Sequence, residues 1–258
     1  MHLMINFEIT YLMNTKRCFV ISVGWAKGIP DDVGIQVFNG TDAYPGQFPY
    51  MAAIQSSGRF VCGGVLIHPS WVISDSTFIP FPEAVQVVLG LHDFDNFQNG
   101  GQPEVYDIEQ IVREPGGVSF IALLKLSRPV APGNPYIQTI ALAPQDDYDY
   151  VGGNCYYCGW GQTESPGGSA GGVLQYSQAN VVSEEECQTS VNNVTELCVA
   201  DEYTVTCGGD DGGPLACRRD SQTYLVGTLK FSSDCYTSRS SLFHRISYYS
   251  DWIRTVID

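Results

Sequence analysis

From Gln47 onward the apolar residues fall in short runs, some continuous and some alternating with polar positions: "FPYMAAIQ", "RFVCGGVLI", "SWVISDS", "AVQVVLGL", "YDIEQIV", "FIALLKL", "VLQYSQANVV", "TYLVGTLKF" and "LFHRIS". Each run has the length of a strand, is rich in Val, Ile, Leu or Phe, and is bounded by Gly, Pro, Asn or Asp, the turn-forming residues. The period changes at the end of the chain. There Tyr249, Trp252, Ile253, Val256 and Ile257 recur at three-and-four spacing, one face of a helix, with Ser247 as its expected cap. The pattern predicts an all-β body with a helix docked at its carboxy-terminal end.

Composition agrees with that reading. In 258 residues, 44% hydrophobic positions are enough to bury a sizeable core, and Gly 27, Pro 14 and 16% charged residues suit many short strands joined by turns. The stretch "TESPGGSAGG", 163 to 172, reads as a surface loop. Charge narrows the partners. With 13 Lys and Arg against 28 Asp and Glu, the net charge of -15 excludes a nucleic-acid binder and opposes docking on anionic membranes, leaving neutral or basic partners.

Nine cysteines indicate an oxidising compartment. Cys18 belongs to "MNTKRCFVISVGWAKG", in which Lys16 and Arg17 precede an apolar run from Cys18 to Ala26. Residues 1–26 therefore read as a secretory leader or as an amino-terminal extension, 27–36 ("KGIPDDVGIQ") as a short linker or propeptide, and 37–258 as the folded domain. The run is too short for a membrane span, which takes about 20 apolar residues. Removal of Cys18 leaves eight cysteines. Asn39 and Asn193 stand in Asn-X-Thr sequons, which a secreted protein would present for glycosylation. Taken alone, "CYYC" (155–158) is a redox or zinc half-motif, but no second ligand pair accompanies it and no metal or cofactor is implied.

Several segments together resemble the trypsin/chymotrypsin family of serine proteases, in family order: "VFNGTDAYPGQFPY", "FVCGGVLIHPSWVIS", "LGLHDF", "IALLKLSRPV", "CYYCGWGQT", "CGGDDGGPLAC" and "YYSDWI". The resemblance covers Val37 to Asp258 and implies two packed six-stranded antiparallel β-barrels with a cleft between them and a carboxy-terminal helix. It also implies bridges Cys155–Cys217, Cys187–Cys198 and Cys207–Cys235. Two cysteines, Cys62 and Cys158, are then left over, because Phe78 stands where the family partner of Cys62 would be. Parity predicts a Cys62–Cys158 bridge, with two buried thiols as the alternative.

The same resemblance exposes what is missing. A Ser-His-Asp triad needs a hydroxyl nucleophile, an imidazole base and a carboxylate that orients the imidazole. By alignment this chain carries Thr77 at the base, Phe120 at the orienting acid and Asp211 at the nucleophile. None of His68, His92 and His244 matches the position of the base. The family's oxyanion hole maps to the N–H groups of Gly209 and Asp211, where a carboxylate would repel the charge the hole exists to stabilise. The specificity pocket maps to Val205, Phe231, Ser232 and Ser241, an apolar, narrowed lining. Asp210 corresponds to the family aspartate that pairs with the amine freed by zymogen cleavage, here at Val37, although Gln36 replaces the usual basic residue before it. Leu91 replaces the first carboxylate of the family's calcium loop, and "VREPGGVSFIALL" is shorter than the usual connection. The expectation is a secreted, non-catalytic homologue that binds a protease, an inhibitor or another component of a proteolytic cascade. Its rivals are a hydrolase built on unconventional groups such as Asp211 and Thr77, and a structural secreted protein with no specific partner.

Overall fold

Fifteen strands and one helix make up the described part of the computed structural model, which covers residues 40–116, 120–146, 148–162, 170–187, 189–200, 206, 208–230 and 240–258. The leader, the linker, Val37, Asn39, Val205, Cys207, Phe231, Ser232 and Cys235 lie outside the described residues. The first group of strands is β1 (Thr41–Asp42), β2 (Met51–Ser56), β3 (Arg59–His68), β4 (Trp71–Asp75), β5 (Gln86–Leu89), β6 (Glu104–Arg113) and β7 (Ile121–Leu126). The second is β8 (Ala141–Leu142), β9 (Asn154–Gly159), β10 (Gln175–Ala179), β11 (Val181–Val182), β12 (Glu196–Ala200), β13 (Pro214–Arg219), β14 (Gln222–Leu229) and β15 (Ser240–Arg245), followed by α1 (Ile246–Ile257).

Strands β2 to β7 close into a barrel in the order β2-β3-β4-β7-β6-β5. Ser57 and Gly58, both at positive φ (51° and 74°), form the two-residue turn between β2 and β3, and the twist of such a turn matches that of the strands it joins. Every strand of the barrel sends apolar side chains inward, among them Ile54, Leu66, Val72, Val87, Tyr106 and Leu124. The remaining strands form a nine-stranded sheet in the order β1-β10-β9-β13-β14-β15-β12-β11, with β8 pairing beside β14. This sheet curls over its own core of Tyr157, Val181, Leu197, Leu215, Val226 and Phe243. The fold is thus the expected two-unit all-β body, with one closed six-stranded barrel and one curled half-barrel.

Two apolar clusters bind the units together. One joins Ile73, Ile121 and Leu123 of the barrel to Ala216 and Leu225 of the sheet and to Ile246, Tyr249 and Ile253 of the helix. The other joins Met51, Ala53 and Val88 to Cys158 and Trp160. The helix uses its predicted face: Tyr249 and Ile253 are buried, and Trp252, Val256 and Ile257 pack half-buried beside them. Its start differs from expectation. Arg245 is the N-cap and makes no side-chain capping bond, so Ser247 lies inside the first turn. The helix springs directly from β15, whose last residue donates its N–H to Thr195 O, and there is no loop for a serine to cap.

The cysteines divide as the alternation of strands dictates. Cys155 on β9 and Cys217 on β13 are directly paired across the sheet and form one bridge, with α-carbons 4.0 Å apart. Cys187 and Cys198 form another. The expected Cys62–Cys158 bridge is not made, and both cysteines are buried free thiols. Cys62 points into the closed barrel, its sulfur 3.7 Å from Ser74 Oγ, whereas Cys158 faces the interface between units, its sulfur 3.8 Å from Met51 Sδ. The Cys-Tyr-Tyr-Cys spacing of three places its two sulfurs on opposite faces of β9, which dissolves the redox or zinc reading of that motif.

Candidate functional site

The three segments that the sequence aligns with a triad come together where the two units touch. Strand β4 ends at Asp75, and the chain turns there because the Asp75 carboxylate accepts the Thr77 N–H at 2.6 Å. Ser76 N–H donates to Phe120 O at 2.5 Å, which sets the base position beside the orienting-acid position. From the other unit, the loop 208–213 lies against the same strands. Gly63 N–H donates to Asp211 O at 2.9 Å, and a Cβ on Gly212 (φ 75°) would stand 2.6 Å from both Asp75 N and Ser74 Oγ. No side chain fits there, so glycine at 212 is a condition for this approach.

The side chains differ in access. Thr77 is exposed and Phe120 is 49% exposed, so the place of a buried orienting acid is taken by an aromatic ring turned to solvent. Asp211 is 1% exposed. Its carboxylate oxygen Oδ2 lies 3.3 Å from Gly209 N, so the N–H that would stabilise an oxyanion instead donates to the residue's own side chain. Gly209 has φ 100°, and a Cβ there would be 3.2 Å from Ala170 Cβ and 3.3 Å from the Phe60 ring.

Asp210 is also buried, at 2% exposure, and accepts the Gly161 N–H at 2.8 Å. Gly159 and Gly161 make the space for its carboxylate, since Cβ atoms there would come within 2.1 Å and 2.5 Å of it. Its expected partner, Val37, lies outside the described residues. Of the specificity pocket, Ser241 is described: it is 6% exposed and its hydroxyl is 2.7 Å from that of Thr206.

A residue that the motif comparison passes over completes the electrostatics. Asp75, two places before Thr77, is 1% exposed with Oδ2 lacking a hydrogen-bond partner among the described residues, and burial holds its carboxyl above the ordinary aspartate range. Burial likewise pushes the Cys62 thiol far up, with Asp75 and Asp211 adding to the effect and Ser74 opposing it. The three histidines in the described residues lie at other places in the fold. His68 Nδ1 accepts Ser70 N–H in the β3–β4 turn, His92 is buried and its backbone carbonyl accepts the Trp160 indole N–H, and His244 is buried on β15 opposite Glu196 and Thr228. Asn193 lies exposed in the turn before β12, where its side chain donates to Glu184. Among the described residues no helix is long and apolar enough to cross a membrane.

A closed β-barrel and a curled β-sheet, with the loop 208–213 of one lodged against strands β3 and β4 of the other, make up a trypsin-like scaffold, and the segments that the sequence aligns with the triad, at Thr77, Phe120 and Asp211, lie along that contact. The family model described as Trypsin matches residues 37–253, and the chain belongs to that family. Similar solved structures include human heparin binding protein, at 27% sequence identity and a TM-score of 0.73, covering 86% of this chain and 96% of that one. A second, atomic-resolution structure of heparin binding protein matches at 27% identity and a TM-score of 0.72, over 86% of this chain and 96% of that one. A structure of a mutant of the human protein matches with the same identity, coverage and TM-score as the second.

Proposed function

We propose that this chain is a secreted, non-catalytic member of the trypsin family that binds a protease, an inhibitor or a substrate protein and thereby regulates a proteolytic cascade. The observation that carries the reading is the state of Asp211: a carboxylate at 1% exposure, directed at the Gly209 N–H, at the position where the family places an exposed hydroxyl nucleophile. A group so withdrawn is out of reach of a scissile bond, and it cancels the positive site that would stabilise a tetrahedral intermediate. This speaks equally against the rival hydrolase built on Asp211. Two disulfides and a trypsin-type domain fit secretion.

The similar structures are of a protein named for binding heparin, a polyanion. A net charge of -15 opposes that ligand here and favours a neutral or basic protein partner. The experiment is capture with the full chain from the fluid into which it is secreted, followed by titration of the recovered partner. Saturable one-to-one binding by a protease, inhibitor or protease substrate is expected, with a change in the rate of the partner's own reaction. Recovery of no saturable partner would support the bystander reading instead.

A further inference from the structure

On the side of β9 away from the half-barrel core lies a crevice of about 580 Å³, a size typical of small-ligand sites. Its construction follows from alternation along the strands. Cys155 and Cys217 face the core, so their neighbours Asn154, Tyr156, Ala216 and Arg218 face outward, and Thr223 of β14 joins them opposite Arg218. The small Ala216 gives the crevice its depth. The arm 44–50 and the strap 138–141 form the other two walls.

The chemistry of the lining is unusual for this chain. Although Asp and Glu outnumber Lys and Arg by 28 to 13, no carboxylate lines the crevice among the described residues. The one cation among the described lining residues, Arg218, is exposed and has neither an ion-pair nor a hydrogen-bond partner among the described residues, whereas the adjacent Arg219 is paired with Asp146. Two of its amides have an acceptor engaged and the NH₂ group without a partner among the described residues: Gln47 Oε1 accepts Tyr44 N–H and Gln222 Oε1 accepts the Tyr224 hydroxyl, whereas Gln138 donates its NH₂ to Pro135 O. Tyr44, 67% exposed, and Tyr156 supply aromatic faces.

We infer that this crevice is a saccharide-binding site, taking a sugar unit that carries one carboxylate. The electron-rich face of a tyrosine ring attracts the polarised C–H face of a pyranose. Free amide N–H groups on Gln47, Asn154 and Gln222 suit the hydroxyl oxygens, and the planar Arg218 fork suits a carboxylate in a charge-assisted pair. The single unpaired cation sets the number of charges, because the field of a chain at -15 repels a polyanion before it arrives. The site lies on a different face of the sheet from the Cys155–Cys217 core and uses none of the triad-position residues.

The test is ligand-detected NMR titration of the full chain with glucuronate, galacturonate, N-acetylneuraminate, glucose, acetate and a sulfated oligosaccharide. Arg218→Gln and Tyr44→Ala are the variants, both at exposed positions, with circular dichroism to verify the fold. Saturable binding of at least one acidic sugar is expected, weakened about tenfold or more by Arg218→Gln, the loss of one charge-assisted contact. Tyr44→Ala should weaken acidic sugars and glucose alike, while glucose is indifferent to Arg218→Gln. The inference is overturned if no sugar saturates, if acetate binds as tightly as the acidic sugars, if neither variant weakens binding, or if sulfated oligosaccharides bind more tightly than single acidic units.

Discussion

His244 offers a quantitative check on the packing of the second unit. It is 3% exposed on β15, its ring stands edge-on to Tyr249 with centroids 6.1 Å apart, and its Nε2 has no hydrogen-bond partner among the described residues. Burial first, and then the charge of Lys230, lower its pKa from 6.5 to about 4, against the opposing pull of Glu196 and Glu114. Because the folded value lies below the unfolded one, the unfolded chain takes up the proton first as pH falls. The stabilisation is therefore complete above pH 6.5 and is lost as the pH falls toward 4. At about 1.36 kcal/mol per unit, the loss comes to about 3 kcal/mol, enough to move a urea midpoint by about 1 M. Urea unfolding with disulfides intact, from pH 7.5 to pH 4, compares wild type with His244→Phe, so that titrations common to both cancel. The wild-type advantage, whatever its value at pH 7.5, should fall by that amount. A difference that stays flat across the range, or an imidazole NMR titration centred near 6.5, would refute the buried, neutral ring.

Asp75 should behave in the opposite sense. Its pKa is raised by burial, so its contribution is full below the unfolded value of about 3.9 and is lost as pH rises through the folded one; Asp75→Asn should gain on wild type between pH 4 and 7 in the same urea assay, and a constant difference would contradict this. Gly161→Ala should destabilise by about 2 kcal/mol or more, since its Cβ would stand 2.5 Å from Asp210 Cγ and displace the carboxylate from the Gly161 N–H. Adding Asp210→Ala to that variant should cost less than the two single changes summed, as expected when both act through one contact, and full additivity would show that they do not. Cys62 and Cys158 should resist alkylation in the native protein, because burial holds both thiols up, and should react on unfolding without reductant; a failure to react after unfolding would mean they are bridged.

The strands were legible because a half-buried sheet writes a period of two into the chain, and the terminal helix because Tyr249, Ile253 and Ile257 recur on one face. The segments assigned to the triad are read from their flanks, Trp71 to Ser74 before Thr77 and the glycines around Asp211, and what the structure adds is that these segments lie against one another. Asp75 was not legible, since its role comes from the approach of Gly212, a contact between units distant in sequence. Parity mispaired Cys62 and Cys158 because it counts sulfurs, whereas strand alternation sends one into the barrel and the other toward Met51. Ser247 misled for a local reason, the direct passage of β15 into the helix. The crevice at Arg218 has no linear signature at all, for its walls come from residues 44–50, 138–141, 154–156 and 216–223.

The central claim, that the scaffold binds but does not cut, is tested most directly by peptide hydrolysis. Purified wild type, both intact and cleaved after Gln36, is assayed on a broad peptide library beside Asp211→Ala, Asp211→Ser and the triple variant Thr77→His, Phe120→Asp, Asp211→Ser. The account predicts no turnover by wild type or by either single variant, because a serine at 211 without an imidazole at 77 stays protonated and an imidazole without an acid at 120 loses about 10⁴-fold. A wild-type rate that disappears in Asp211→Ala would contradict it, since the carboxylate at 211 would then be performing the chemistry.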